Sequence, residues 1–116
     1  MLITLLCSTF FSCSEEDDPS GDSELVGTWK YLNAYYVFNS DGTGYDYLEI
    51  NGSKGGYYFT WKLGTNMLHL TYDGTGFNTS GYHTKGTITL YYTLEDDVLS
   101  LWYADDGLFH GAYMKQ

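Results

Sequence analysis

The sequence predicts an all-β domain, a small eight-stranded antiparallel up-and-down barrel. Three observations carry that expectation. In run after run of residues 25–116, apolar and polar side chains alternate, the mark of strands with one buried face. Clusters of Gly, Asn and Asp punctuate the runs at regular intervals, and these residues tolerate the positive φ of tight turns. No window of a dozen residues sustains a helical stripe without a glycine or turn cluster cutting it.

The strands follow in order. Residues 26–32 and 34–39 place Trp29, Tyr36 and Phe38 as inward candidates. The turn Asn39-Ser40-Asp41-Gly42 leads to a strand over 43–50. Residues 56–63 set Tyr57, Phe59, Trp61 and Leu63 on one face, and Gly64-Thr65-Asn66 closes that run. In 67–73, Leu68, Leu70 and Tyr72 point together, with His69 on the outward face. Residues 86–94 oppose Ile88, Leu90, Tyr92 and Leu94 to Thr87, Thr89 and Thr93. After Glu95-Asp96-Asp97, the strand 97–103 carries Leu99, Leu101 and Tyr103 inward. Ala104-Asp105-Asp106-Gly107 then turns into 107–115, which brings Tyr113 inside. Eight strands over this length match the spacing of about 8–12 residues found in sandwiches and barrels. Short sequential connections favour a meander, and closure removes the edges of so aromatic a sheet.

Charge divides the chain. Its 116 residues carry 15 acids, five lysines and no arginine, a formal net charge of −10. Six of the acids (Glu15, Glu16, Asp17, Asp18, Asp22 and Glu24) fall within residues 14–24, among Ser, Gly and the single proline, Pro19. Such a run is a solvated linker. The stretch 25–116 is only mildly anionic, with a net of −4. No basic footprint for nucleic acid exists.

Residues 1–12, MLITLLCSTFFS, are apolar, uncharged and too short to span a bilayer as a helix. They read as the hydrophobic part of a secretory signal, although no Lys or Arg precedes them; the alternative is a buried N-terminal strand. Cys7 and Cys13 are the only cysteines, so residues 25–116 hold neither a disulfide nor a thiolate metal site. Phe10-Phe11-Ser12-Cys13 resembles the lipobox of a bacterial lipoprotein, with Cys13 the residue that would be lipidated. Ser14-Glu15-Glu16-Asp17-Asp18 resembles the Ser-plus-acidic export signal of Bacteroidota lipoproteins. The resemblance implies a lipid-anchored outer-membrane protein exposed on the cell surface, with residues 13–24 a flexible tether of at most roughly 35–40 Å.

Leu25-Val26-Gly27-Thr28-Trp29 resembles the Gly-x-Trp signature of lipocalins and their calycin relatives. The runs 36–44 and 111–115 are similar to short lipocalin-like domains of Bacteroidota lipoproteins. The resemblance covers residues 25–116 and implies a lipocalin-like barrel with Trp29 packed across its closed end. It also implies that Lys115 is the basic residue stacking on that tryptophan. The chain is shorter than a typical lipocalin and has no C-terminal helix after the last strand.

Alternate connections of a meander share an end. The second, fourth and sixth (39–42, 64–66 and 95–97) are tight, and the N-terminus enters beside them. The third (51–55) and fifth (73–85) are long, and they share an end with the first and with the 104–107 turn. A loop-rich mouth pointing away from the membrane is where binding is expected; the stretch 74–85 also fits a plain insertion. Tyr31, Tyr35, Tyr57, Tyr72, Phe77, Tyr82, His83 and Tyr103 are the ligand-binding candidates at that mouth. Many rings inside a small barrel either fill the lumen or leave a cleft lined by ring faces.

Nothing points to an enzyme, a cofactor or a metal. His69, His83 and His110 show no ligand spacing, and no nucleophile elbow or domain cysteine exists. The Asp96-Asp97 and Asp105-Asp106 pairs belong to turns at opposite ends. The expected function is a surface-anchored, non-catalytic barrel that binds a small hydrophobic or amphipathic ligand. The alternative is a solid barrel contacting glycan or protein through exposed aromatics such as Tyr58, Tyr91 and Trp102. Oligomeric state is left open.

Overall fold

A computed structural model describes residues 24–78 and 85–116. The apolar segment 1–12, Cys13 with residues 14–23, and Tyr82 and His83 with the rest of 79–84 lie outside the described residues. Eight strands form: β1 Gly27–Tyr31, β2 Ala34–Phe38, β3 Thr43–Ile50, β4 Ser53–Gly64, β5 Met67–Phe77, β6 Lys85–Glu95, β7 Val98–Tyr103 and β8 Phe109–Lys115. Each pairs antiparallel with its sequence neighbour. β8 returns to β1 through Trp29↔Lys115 and Lys30↔Met114, so the sheet is a closed up-and-down barrel.

The alternation works as the pattern requires. Trp29, Phe38, Trp61, Leu68, Leu70, Leu90, Leu99 and Leu101 are all buried on the inner face. Each such side chain stabilises the fold by about 1.5–3 kcal/mol when fully buried. Most of this packing lies at the end where the chain enters. There the Trp29 Nε1–H donates to the Leu25 carbonyl at 2.8 Å, and the Trp61 Nε1–H is shared between the carbonyls of Asn39 and Thr43. Lys115 Nζ stands 5.2 Å from the Trp29 ring centroid and donates to the Val26 carbonyl. Gly44 faces inward against Phe59; a Cβ there would meet a Phe59 ring carbon at 2.6 Å. Glycine is what lets that ring enter the core.

Several turn acids do structural work. Asp41 Oδ1 accepts the Thr43 N–H and hydroxyl, Asp73 does the same for Thr75, and Asp106 accepts the Leu108 N–H. These are Asx-type turns.

One connection differs from expectation. The third is not long: Asn51 and Gly52, at φ 53° and 82°, make a two-residue hairpin turn, and Ser53 already pairs with Ile50. Residues 53–56 belong to β4, because Gly55 and Gly56 lie opposite Leu48 and Tyr47 in the ladder. β5 likewise runs on to Phe77. It passes an irregularity in which Asp73, Gly74 and Thr75 all stand opposite Tyr58, with Gly74 at φ 90°. The mouth is therefore walled by long strands on one side.

Candidate functional site

The barrel is filled at one end and hollow at the other. A cavity of about 400 Å³ opens at the end that carries the first, third, fifth and seventh connections. A water molecule's share of liquid volume is about 30 Å³, so the space takes a small organic molecule. Its walls include Ala34, Leu48, Leu70, Ile88 and Leu90, which inward alternation on β2, β3, β5 and β6 supplies. Tyr31, Leu32, Ile50, Leu108 and Phe109 stand exposed at the same end and make its surroundings apolar.

Polar atoms converge on this space from five strands. Tyr36 on β2, Asp46 on β3, Tyr72 on β5, and His110 and Tyr113 on β8 all line it, together with Tyr103 at the end of β7. The Tyr72 hydroxyl donates to Asp46 Oδ2 at 2.5 Å, and the Tyr57 backbone N–H also bonds that carboxylate. His110 is the hub of a second group. Its Nε2 lies 2.9 Å from the Tyr36 hydroxyl and 3.3 Å from that of Tyr113, and its Nδ1 lies 3.0 Å from the Tyr103 hydroxyl.

Burial governs the protonation of the set. It raises the Asp46 carboxyl above the ordinary carboxylate range, against the hydrogen bonds from Tyr72 and Tyr57 that pull it back. It pushes the Tyr36, Tyr72 and Tyr113 phenols up, and the nearby Asp46 charge adds to this. It lowers His110 below 6.5. At neutral pH the tyrosines thus keep their protons and the imidazole is neutral. Such phenols serve as hydrogen-bond donors rather than proton-transfer groups. Among the described residues, no cluster of three or more His, Cys, Asp or Glu is placed to hold a metal.

The sequence-predicted candidates separate. Tyr57, Tyr72 and Tyr103 meet at the cavity. Tyr31 packs at the rim, its ring centroid 5.5 Å from that of Tyr113. Tyr35 borders the cavity, but its ring stacks on Tyr47 at 4.5 Å and 8°, beneath Lys30, on the outer face. Phe77 is also outside, against Tyr45, Tyr47 and Tyr58. Barrel end alone groups these residues; strand parity divides them, since Tyr36 and Tyr72 point inward and their odd-numbered neighbours outward. Tyr82 and His83 lie outside the described residues.

Asp46 and His110 were not legible as site residues. Tyr45-Asp46-Tyr47 reads locally as two apolar rings around an outward acid, and only pairing of Gly44 with Phe38 and Phe59 reverses that phase. His110 sits in a β-bulge: Gly111 pairs with Leu101 and Phe109 with Trp102, so His110 is the extra residue between them. A bulge re-aims a side chain that alternation does not predict. His69, by contrast, is on the outer face as its parity requires, bonded to the Thr89 hydroxyl at 2.9 Å.

No family model matches the chain. It is 28% identical over 126 aligned positions to a protein of Escherichia coli strain K12 described as the uncharacterised protein YuaQ. That alignment covers 98% of this chain and 9% of YuaQ, so the chain spans under a tenth of the relative's length. No solved structure matches.

Proposed function

We propose that this barrel is a non-catalytic binding module for a small hydrophobic or amphipathic molecule, held at the outer-membrane surface by a lipid on Cys13. One observation carries the reading: a cavity of about 400 Å³ with aliphatic walls and a few convergent polar groups, the usual make-up of a ligand site. The phenols that burial keeps protonated offer hydrogen-bond donors to a bound molecule. Localisation rests on the lipobox-like Phe10-Phe11-Ser12-Cys13 and the acidic run after it.

The full chain is titrated with the neutral apolar fluorophore N-phenylnaphthylamine. Saturable fluorescence enhancement is expected, and Ile88→Trp, which fills the cavity, abolishes it. Absence of saturable binding by apolar probes overturns the reading. Separately, Cys13→Ala moves the protein out of the detergent phase on partition; unchanged partition removes the lipid anchor.

The outer face supports a second reading, contact with a glycan or protein. Tyr35, Tyr45, Tyr47, Tyr58 and Phe77 form a continuous aromatic sheet surface, with Lys54 over the Tyr47 ring. Retention on immobilised glycans that Tyr45→Ala and Tyr58→Ala abolish, without loss of fluorophore binding, would assign the partner to this face.

A further inference from the structure

The Asp46 carboxylate lies in a cavity with no cation to match it. A carboxylate taken from water into an apolar site is costly unless a positive charge or several hydrogen bonds meet it. Two bonds are present, from the Tyr72 hydroxyl and the Tyr57 N–H, against about four acceptor sites on the group. No lysine lines the cavity, and the chain has no arginine.

Each lysine is engaged elsewhere. Lys30 and Lys54 lie over the outer rings of Tyr35 and Tyr47. Lys115 is on Trp29 at the filled end. Lys62 stands opposite His69 on the outer face, and Lys85 pairs with Asp73 at the strand ends, where its charge helps lower that carboxyl. Among the described residues, the only other titratable groups lining the cavity are His110 and tyrosines. His110 is held neutral by burial, with both ring nitrogens engaged by hydroxyls. Among the described residues, nothing supplies the missing charge.

We propose that the cavity is a site for an organic ammonium ion, a small amine whose apolar body occupies the aliphatic walls while its N–H groups donate to Asp46. This rests on the reading of the barrel as a ligand-binding module and narrows it to one chemical class. The tyrosines fit that class twice over, because their ring faces attract a cation and the Tyr72 hydroxyl fixes the carboxylate. An anionic ligand is excluded on the same grounds, since it would face a carboxylate without a cation nearby. The chain's net charge of −10 further enriches cations near it.

The test uses the full chain and three probes of nearly equal size and shape at neutral pH: phenethylammonium, phenethyl alcohol and phenylpropanoate. Calorimetry is expected to show the ammonium binding about tenfold tighter than the alcohol, as one charge-assisted hydrogen bond supplies, with the anion weakest. Asp46→Asn should bring the ammonium down to the alcohol's affinity while the alcohol changes by less than about twofold. Tyr72→Phe, which keeps the carboxylate, should retain the preference. Equal binding of ammonium and alcohol by the native chain overturns the proposal without any variant, and so does a preference that survives in folded Asp46→Asn. Those results, with N-phenylnaphthylamine still bound, leave the ligand-binding reading standing; failure of every probe, the fluorophore included, overturns both.

Discussion

His110 and Asp46 sit in one cavity and respond to pH in opposite senses. Burial lowers the imidazole below 6.5, so the fold holds its neutral form. The unfolded chain then binds the proton more readily. The stability His110 contributes is fully present above pH 6.5 and is lost as pH falls through the lowered folded value. Burial raises Asp46 above 3.8, so the fold favours its protonated form, and stability is lost as pH rises through the window above 3.8. Melting temperature against pH separates the two. On descending from pH 6.5 the native chain should lose stability, and His110→Gln, which still bonds the hydroxyls, should flatten that limb. Asp46→Asn should do the reverse, raising stability near neutrality relative to acid. A limb unaltered in His110→Gln assigns the acid sensitivity to another group.

Among the elements, the β3–β4 hairpin most clearly links local chemistry to the site. Asn51 and Gly52 both adopt positive φ, and the turn holds the walls that carry Asp46, Leu48 and Tyr57. Gly52 has open space around a would-be Cβ, so any cost of substitution there is backbone strain alone. Gly52→Val should destabilise by about 1–2 kcal/mol in urea unfolding. Gly64→Ala, where φ is ordinary and the nearest atom is 3.5 Å away, should change stability by less than about 0.5 kcal/mol. Equal costs at both positions would mean that the turn does not depend on left-handed geometry. The same hairpin shows why some elements were legible and others not. Strands such as Met67–Phe77 and Val98–Tyr103 announce their inner faces because leucines and aromatics alternate with polar residues. Ser53-Lys54-Gly55-Gly56 has loop composition but strand pairing. Hairpin ladder pairing with residues 47–50, and that of Gly56 with Phe77, overrides its propensity there. The site was harder still. Tyr57, Tyr72 and Tyr103 follow from parity and barrel end, whereas the His110 bulge and the phase of Asp46 depend on register with neighbouring strands.

At the level of the whole molecule, closure lets one end be solid and the other hollow. The last strand pairs with the first, so the barrel has no free edge strand and the sheet stays shut without a fully packed lumen. The filled end, around Trp29, Trp61, Leu68 and Leu99, supplies most of the buried apolar contact. The hollow end gives up some of that contact and keeps a polar cluster that an aliphatic core would exclude. Truncation should therefore cost different amounts at the two ends. Leu99, wholly buried between β6 and β8, leaves a new void when shortened, and Leu99→Ala should cost about 3–5 kcal/mol. Ile88 borders space that already exists, so Ile88→Ala mainly enlarges it and should cost below about 2 kcal/mol. Chemical denaturation of both variants measures the difference, and native-state hydrogen exchange locates it. Amides of Trp61 and Leu68 should exchange only by global opening, while those flanking Asn51 and Gly52 open locally. Equal penalties for the two truncations, or uniform protection around the barrel, would mean that the cavity is collapsed in solution and the lumen packed throughout.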